Sequence, residues 1–210
     1  DETQYQNLLR IPGGVNRIEY FCNKQDLDVD ILKIRNIHKT KTDEYQKILH
    51  TGKIKIRTGV MRLIEELNKK NVKQYIVTTG QKLSLESLLQ NLFDSDDLPF
   101  VDFVTGTDVN YQKPHPEPYL KALSIADVNP SAVVVIEDSV VGLTSSHNAG
   151  LPCLITLTEW NTDKISQFSN AQSIVDRIGD YESLTTVIRG PAVTSFVDHS
   201  YLTKLINTND

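Results

Sequence analysis

The sequence predicts an α/β protein in which helices cover both faces of a parallel sheet, preceded by a helical region. From residue 60 onward, segments whose apolar residues have helical spacing alternate with short apolar runs. These runs are continuous rather than alternating in polarity, which is typical of strands buried on both faces of a parallel sheet. Before residue 50 no strong strand run occurs, and the apolar residues have helical spacing.

The first helix of the α/β region is predicted over residues 60–67, where Val60, Leu63, Ile64 and Leu67 share one face. The elements predicted after it alternate in type: strand 74–77, helix 85–92, strand 101–104, helix 118–125, strand 132–136, helix 140–148 and strand 153–157. The predicted series ends there, and residues 207–210 are expected to fray.

The helical region is interrupted by one loop. Residues 5–9 have helical spacing, a Pro-Gly-Gly sequence at 12–14 breaks the helix, and helical patterning resumes over 17–21 and 28–49. An extended connector follows at 53–57. The chain is therefore expected to divide into a helical part, 1–55, and an α/β core, 56–210.

The composition excludes some classes of function. The chain has 210 residues, a net charge of -5 and a pI of about 5.5, which argue against nucleic acid as a partner because phosphate backbones select basic surfaces. Small phosphorylated ligands are not excluded, since local charges hold them. No apolar run approaches the ~20 residues that a membrane span needs. Cys22 and Cys153, the only cysteines, are predicted to be reduced packing residues, with a single disulfide as the alternative.

Two polar segments directly follow predicted strands. The segment 78–80 (Thr-Thr-Gly) comes after strand 74–77, and the segment 137–139 (Glu-Asp-Ser) comes after strand 132–136. In open α/β sheets, ligands bind outside the carboxyl ends of the strands. Both segments are therefore expected to face one ligand.

The acidic segment has two interpretations. Asp138 or Ser139 could simply cap the helix predicted from residue 140. Alternatively, Asp138 together with Glu137 ligates Mg²⁺, a cation that prefers carboxylates and water. Capping requires neither Glu137 nor Gly142, a residue that lets the helix approach its neighbour closely.

Lys113 begins the sequence Lys-Pro-His-Pro-Glu. It is either an exposed loop lysine or a positioned charge, and the two flanking prolines restrict the backbone in a way that favours the second interpretation. A fixed ammonium would neutralise phosphate oxygens and the charge that grows in the transition state. Thr78 and Thr79 likewise have two interpretations. They either form a plain turn or direct a hydroxyl and backbone N–H groups at phosphate. Together with the acidic pair, these residues predict phosphoryl chemistry.

The loop of the helical region contains Gly14 and ends in Arg17. It is either a helix–helix connection with a surface arginine or a mobile loop whose arginine grips a second anionic group of the substrate. The 5 histidines show no metal-ligand spacing, so structural or surface roles are predicted for them. The basic residues within 33–41 are predicted to form a solvated helix face.

These motifs resemble those of the haloacid dehalogenase superfamily. The similarity runs through the second motif at 76–79 (Ile-Val-Thr-Thr), the third at 113–119 (Lys-Pro-His-Pro-Glu-Pro-Tyr) and the fourth at 135–142 (Val-Ile-Glu-Asp-Ser-Val-Val-Gly). The segments 8–17 and 153–156 look most like the branch of sugar-phosphate phosphatases associated with Rubisco operons. Members of that branch remove a phosphate from xylulose bisphosphate, a Rubisco inhibitor.

The resemblance implies a three-layer, Rossmann-like core with a small α-helical cap, of which residues 1–55 would be part. It also implies roles for individual residues. Those roles are phosphate binding and transfer for Lys113 and Thr78, substrate binding for Arg17, Gly14, Thr79 and Ser139, and Mg²⁺ binding for Asp138 and Glu137. Arg17 would contact the distal phosphate of the substrate.

One motif of the superfamily is missing. Its members attack phosphorus with an aspartate, and a second aspartate two residues later acts as acid and base. The Asp-x-Asp-Gly-Thr sequence that carries both does not occur here. Either the protein is an inactive relative, or this segment was omitted from the chain. Omission is expected, because that first strand is central in the family's sheet and its loss exposes two strand edges, which promotes aggregation. In addition, Ser145 and Ser146 replace the usual small alanines.

The sequence therefore predicts a Mg²⁺-dependent phosphatase that hydrolyses a phosphate monoester of a small sugar. Two alternatives stay open: a sugar phosphomutase with the same motifs, and a non-catalytic phosphosugar-binding relative. The expected partner is the phosphorylated sugar, without nucleic acid or membrane. The protein is expected to be a monomer in the cytoplasm, or in the chloroplast stroma if a transit peptide is removed.

Overall fold

The computed structural model describes residues 4–5, 8, 11, 13–49, 51–93 and 98–207. Its helices are α1 (Gly14–Lys24), α2 (Ile31–Leu49), α3 (Val60–Lys69), α4 (Lys82–Leu92), α5 (Glu117–Ala126), α6 (Val140–Asn148) and α7 (His199–Asn207). Its strands are β1 (Tyr75–Val77), β2 (Asp102–Val104), β3 (Val135–Glu137), β4 (Cys153–Thr156), β5 (Ser173–Val175) and β6 (Val187–Arg189). Two 3₁₀ segments lie at Pro130–Ala132 and Thr162–Phe168.

The strands form two groups. β1 pairs with β2 in parallel, with Val77 opposite Val104. β3, β4 and β5 pair in parallel in that order, and β6 adds to β5 in the antiparallel direction. Within the described residues no strand pairs between β1 and β3, so each of them has one unpaired edge. Val77 nevertheless packs against the hydrophobic cluster that includes Val135 of β3, so the two groups share a core.

The side chains of β4 show why helices cover both faces of the sheet. Successive residues of a strand point to opposite faces. Ile155 packs in a cluster with Leu143 of α6. Leu154 packs in a second cluster with Leu67 of α3 and Tyr201 of α7. The sheet therefore lies between two helical layers, and the predicted three-layer α/β fold is confirmed.

The predicted helices of the first fifty residues are present with shifted ends. The helix predicted from residue 17 begins at Gly14, and the helix predicted from residue 28 begins at Ile31, after an irregular segment. α1 and α2 pack against each other. Of the helix predicted over 5–9, residues 5 and 8 are helical, whereas 6, 7 and 9 lie outside the described residues, as do Pro12 and 208–210.

Beyond residue 157 the structure contains elements that the sequence pattern did not predict: β5, β6 and α7. Each of these strands lies in a run with only two apolar residues, Ile-Val in β5 and Val-Ile in β6, too short a run to indicate a buried strand. α7 carried a usable signal, since Tyr201, Leu202 and Leu205 are all buried on one side of it. In the described part of the chain, no helix combines the length and the apolar character needed to cross a bilayer.

Candidate active site

A cavity of about 340 Å³ opens at the carboxyl edge of the sheet. Its walls come from the turn after β1, the loop before α5, the end of β3, and Arg57 with Thr156. The predicted phosphate and metal residues that line it are Lys113, Thr78, Thr79, Glu137, Asp138 and Ser139. Segments far apart in sequence thus meet at one place, as the order of strands implied.

Lys113 is buried, with 5% of its surface exposed. Its Nζ donates hydrogen bonds to the carbonyl oxygen of Val77 at 2.9 Å, to the hydroxyl of Tyr119 at 3.0 Å and to Oε1 of Glu137 at 2.5 Å. An ammonium has three N–H groups, so each has an acceptor. The lysine joins the end of β1 to the end of β3. The interpretation of Lys113 as an exposed loop lysine is therefore wrong.

The loop that carries Lys113 is braced by Glu117, the first residue of α5. The two carboxylate oxygens of Glu117 accept from the backbone N–H groups of Asn110 at 2.8 Å and Tyr111 at 2.9 Å. Both bonds lower the pKa of Glu117, and the bond from Asn110 has the larger effect. The bonds hold both ends of the loop together, so the position of the lysine is set by backbone as well as by side-chain contacts.

Glu137 has hydrogen bonds to both carboxylate oxygens. Oε1 accepts from Lys113 and from the hydroxyl of Tyr119, the latter at 2.7 Å. Oε2 accepts from the hydroxyl of Ser139 at 3.1 Å and from the backbone N–H of Asp138 at 3.2 Å. A Cβ at position 142 would overlap this carboxylate, so Gly142 is required for the close approach of α6 to Glu137.

Ser139 combines capping with contact to the site. Its Oγ accepts from the N–H of Gly142 at 3.0 Å and so caps α6. The cap is therefore Ser139 and not Asp138, whose side chain lies at the cavity. Desolvation and the charge of Glu137 raise the pKa of Asp138, and the positive charges of Arg57 and Lys113 oppose this effect.

The turn after β1 fits both of its interpretations. Thr78 Oγ1 accepts from the N–H of Gly80 at 3.0 Å, as in an ordinary turn, and Thr78 N–H donates to Val104 O at 2.8 Å. Thr78 and exposed Thr79 also line the cavity. A threonine hydroxyl that accepts one hydrogen bond still has a proton to donate.

Sequence reasoning missed two further residues. Arg57, which lies in the predicted connector 53–57, lines the cavity and donates to Thr156 Oγ1 at 3.1 Å and to Leu157 O at 2.5 Å. Its position at the start of the predicted α/β core could have indicated that it lies near the site. Asn161 donates to the backbone oxygen of Asp138 at 2.6 Å. No sequence pattern pointed to Asn161, because it acts through a contact 23 residues away.

Arg17 and Gly14 do not line the cavity, and the prediction that they belong to a mobile loop is wrong, because both lie in helix α1. The guanidinium of Arg17 donates to two main-chain carbonyls, Leu8 O at 3.0 Å and Ile11 O at 3.1 Å. A Cβ at Gly14 would overlap the ring of His38. Desolvation lowers the pKa of His38, and the charges of Lys41 and Arg17 lower it further. Arg17, His38 and Lys41 therefore form one group, called here the basic cluster. The sequence pattern predicted only a structural or surface role for His38 and a solvated helix face for Lys41.

The cavity offers a limited donor set for a metal ion. No group of three or more His, Cys, Asp or Glu side chains within the described ranges is arranged to hold one. Mg²⁺ at phosphoryl-transfer sites is usually bound through one or two carboxylates, with water and substrate phosphate as the other ligands. Asp138 and Glu137 at the cavity wall fit that requirement.

Comparison with known proteins decides the family. The family model for haloacid dehalogenase-like hydrolases matches residues 12–156. The chain belongs to this family. The predicted superfamily is thus confirmed. The prediction of a phosphatase is confirmed as well, because phosphatases are among the relatives that match this chain.

The relatives of this hydrolase include proteins of the CbbY type. Protein CbbY of Cereibacter sphaeroides is 30% identical over 185 residues, which make up 88% of this chain and 80% of that protein. A CBBY-like protein of Arabidopsis thaliana is 28% identical over 188 residues, 86% of this chain but 58% of the relative. The crystal structure of a CbbY mutant from Rhodobacter sphaeroides in complex with Xylulose-(1,5)bisphosphate has a TM-score of 0.77 at 30% identity, covering 84% of this chain and 78% of that one.

Proposed function

We propose that this hydrolase is a Mg²⁺-dependent phosphatase that cleaves a phosphate monoester of a small sugar bisphosphate. The observation that carries the proposal is the convergence of a buried ammonium and an acidic pair, from separate loops, on one cavity at the sheet edge. The similarity to CbbY, crystallised with a sugar bisphosphate, supports this class of substrate.

Lys113 and the turn after β1 would bind the transferring phosphoryl group. The ammonium is held in place before any substrate arrives, so it stabilises the developing negative charge without reorganising. Its burial strengthens the effect, because a charge acts more strongly where water is excluded. Thr78 would add its hydroxyl and Thr79 its backbone N–H, because the N–H groups of Thr78 and Gly80 already donate within the protein.

Asp138 and Glu137 would hold Mg²⁺. When bound, the ion neutralises phosphate oxygens and orients the group that is transferred. Glu137 already accepts four hydrogen bonds, so Asp138 is the side chain that is readily available as a ligand. Glu137 also contributes by fixing the ammonium of Lys113.

The covalent step that the family resemblance implies needs an aspartate at this edge. Its carboxylate attacks phosphorus, the bond from phosphorus to the sugar oxygen breaks, and the sugar oxygen takes a proton. Water then cleaves the acyl phosphate and releases inorganic phosphate. The sequence has no Asp-x-Asp-Gly motif to supply this group. The unpaired edges of β1 and β3, beside Ile136 with 41% of its surface exposed, are where a strand carrying it would pair.

The basic cluster would bind the distal phosphate of the substrate. Arg17 uses two of its N–H groups on main-chain carbonyls, and a guanidinium has five. His38 and Lys41 add a hydrogen-bond donor and a second positive charge. Such a group fits the second anionic end of a bisphosphate, as expected for Arg17 and Gly14.

The test is release of inorganic phosphate from xylulose bisphosphate by the purified gene product that carries this sequence. We expect turnover with Mg²⁺, loss of turnover with a chelator, and loss in Asp138→Asn. The matched control is Asp127→Asn, an exposed aspartate at the end of α5 whose positive φ of 51° suits asparagine.

The outcomes distinguish the alternatives. An isomerised sugar phosphate without free phosphate would establish a mutase. Tight binding of the sugar phosphate without any product would establish a non-catalytic binding protein. Full activity of Asp138→Asn would reject the metal assignment.

A further inference from the structure

We propose that Tyr119 is a positioning residue of this site: its buried hydroxyl bridges Lys113 and Glu137 and holds the ammonium where the phosphoryl group binds. The proposal rests on the proposed function, because it names what sets the affinity of that same site for phosphate. Tyr119 is not among the residues that line the cavity, so it acts through Lys113 and not on the substrate.

The ring of Tyr119 is firmly anchored. The residue lies in the first turn of α5, with 5% of its surface exposed. It packs in the cluster that contains Leu143 of α6 and Cys153 of β4. A tyrosine side chain has few rotatable bonds, so a packed ring leaves its hydroxyl little freedom. The hydroxyl is therefore a fixed point to which a flexible lysine can be attached.

The direction of each hydrogen bond follows from the chemistry of the groups. An ammonium can only donate, and an ionised carboxylate can only accept. The hydroxyl of Tyr119 therefore accepts from Lys113 at 3.0 Å and donates its single proton to Glu137 at 2.7 Å. The direct bond from Lys113 to Glu137 closes a triangle. In addition, Nζ lies 4.6 Å from the centroid of the tyrosine ring.

Removal of the hydroxyl would open this triangle without emptying the core. Phenylalanine keeps the packed ring, but it takes one of three acceptors from Lys113 and one of two donors from Oε1 of Glu137. A buried N–H without an acceptor is costly, so the ammonium would turn toward another oxygen. Because its three N–H groups have protein acceptors, Lys113 acts on phosphate through its charge, and a turned ammonium would move that charge away from the phosphoryl position.

The experiment compares two buried tyrosines. Tyr119→Phe is tested against Tyr201→Phe. The hydroxyl of Tyr201 shares a 2.7 Å hydrogen bond with Ser173, and its ring belongs to the cluster on the other face of the sheet. The gene product is titrated with inorganic phosphate in the presence of Mg²⁺. We expect Tyr119→Phe to weaken phosphate binding about tenfold, as is usual for one lost bond to a charged group. Tyr201→Phe should change the affinity less than about twofold, although both variants lose a buried hydrogen bond.

Each outcome has one meaning. Equal phosphate affinity in Tyr119→Phe and unsubstituted protein overturns the inference and leaves the proposed function intact. Absence of phosphate binding by the unsubstituted protein overturns both. If Tyr119→Phe does not fold, NMR spectroscopy of the lysine ammonium in the unsubstituted protein replaces it. Slow exchange of the Lys113 ammonium protons supports the geometry in which all three N–H groups have protein acceptors, and fast exchange contradicts it.

Discussion

The cavity at the sheet edge and the basic cluster of the helical region hold positive charge in opposite ways. At the sheet edge, Lys113 is buried and bonded to a carboxylate, a phenol and a carbonyl. In the basic cluster, Arg17 is bonded to two main-chain carbonyls, and Lys41 on α2 is exposed. The charge of Lys113 is fixed in one position, whereas in the basic cluster the exposed ammonium of Lys41 is free to move.

This difference suits the two ends of a sugar bisphosphate. The reacting phosphoryl group is the same in every substrate of such an enzyme, so a rigid, water-excluded charge serves it best. The rest of the substrate varies, and an exposed side chain such as Lys41 can adapt to it. Exposed charges are also screened by salt, whereas buried ones are screened much less. The two regions should therefore respond differently to mutation, and the following experiments test this.

Lys113→Met should have the largest effect. We expect kcat to fall by about a hundredfold or more, because a preorganised charge at the reacting group is lost. Steady-state kinetics of phosphate release measures it. Loss of one partner of a buried pair is also destabilising, by roughly 3–5 kcal/mol. The double variant Lys113→Met, Glu137→Gln should recover stability but not turnover. Recovery of both would show that the lysine has only a structural role.

Arg17→Ala should act on binding alone. We expect KM for a sugar bisphosphate to rise about tenfold with little change in kcat, as for an interaction made equally in ground and transition states. A sugar monophosphate without the distal group provides the matched substrate, and its KM should not change. Lys33→Ala, an exposed basic residue of α2 outside the cluster, is the control variant. An equal loss of kcat would place Arg17 in the reaction itself.

Ser145→Ala should weaken turnover slightly through the loop of Lys113. Ser145 is fully buried and donates to the carbonyl of His115 at 2.6 Å, so it joins α6 to that loop. We expect kcat/KM to fall about fivefold, the size of one neutral hydrogen bond. Ser146 is equally buried, but its hydroxyl donates to Leu143 of its own helix at 2.9 Å and also contacts Cys153 of β4, so it does not hold the loop of Lys113. Ser146→Ala should therefore keep full activity. Equal effects of the two substitutions would contradict the role of Ser145.

Glu117→Gln should have the smallest effect, visible in the pH dependence of stability. The pKa of Glu117 is lowered in the folded protein, chiefly by the N–H of Asn110. Its contribution to stability is therefore present above the ordinary pKa and is lost as pH falls through the lowered one. Thermal unfolding should show a lower Tm for Glu117→Gln at neutral pH and no difference in strong acid. Glu65→Gln, on the exposed side of α3, should show no difference at either pH.

Much of the site was predictable because its residues directly follow strands. Thr78 comes after β1 and Asp138 after β3, and the parallel order of the sheet brings them to one edge. Lys113 was predictable as a positioned charge because Pro114 and Pro116 restrict the backbone beside it. The fold was predictable as far as β4, whose four residues are all apolar or buried.

The rest depended on contacts that no local pattern contains. Tyr119 and Ser145 look like ordinary core positions of helices, and their roles come from hydroxyl groups that reach across to another segment. Arg57 acts on residues 99 and 100 positions away. β5 and β6 lie in runs with only two apolar residues each. Only the three-dimensional arrangement reveals such pairings.

The burial of both cysteines determines how this protein responds to thiol reagents. Cys22 is buried, and Cys153 of β4 has 1% of its surface exposed, with burial raising its pKa to about 12. The reactive form of cysteine is the thiolate. Maleimides and mild oxidants should therefore leave the natural side chains unmodified. A single cysteine introduced on the exposed surface of α2 could then carry a fluorescent dye without competing labelling, and its signal would report movement of the helical region.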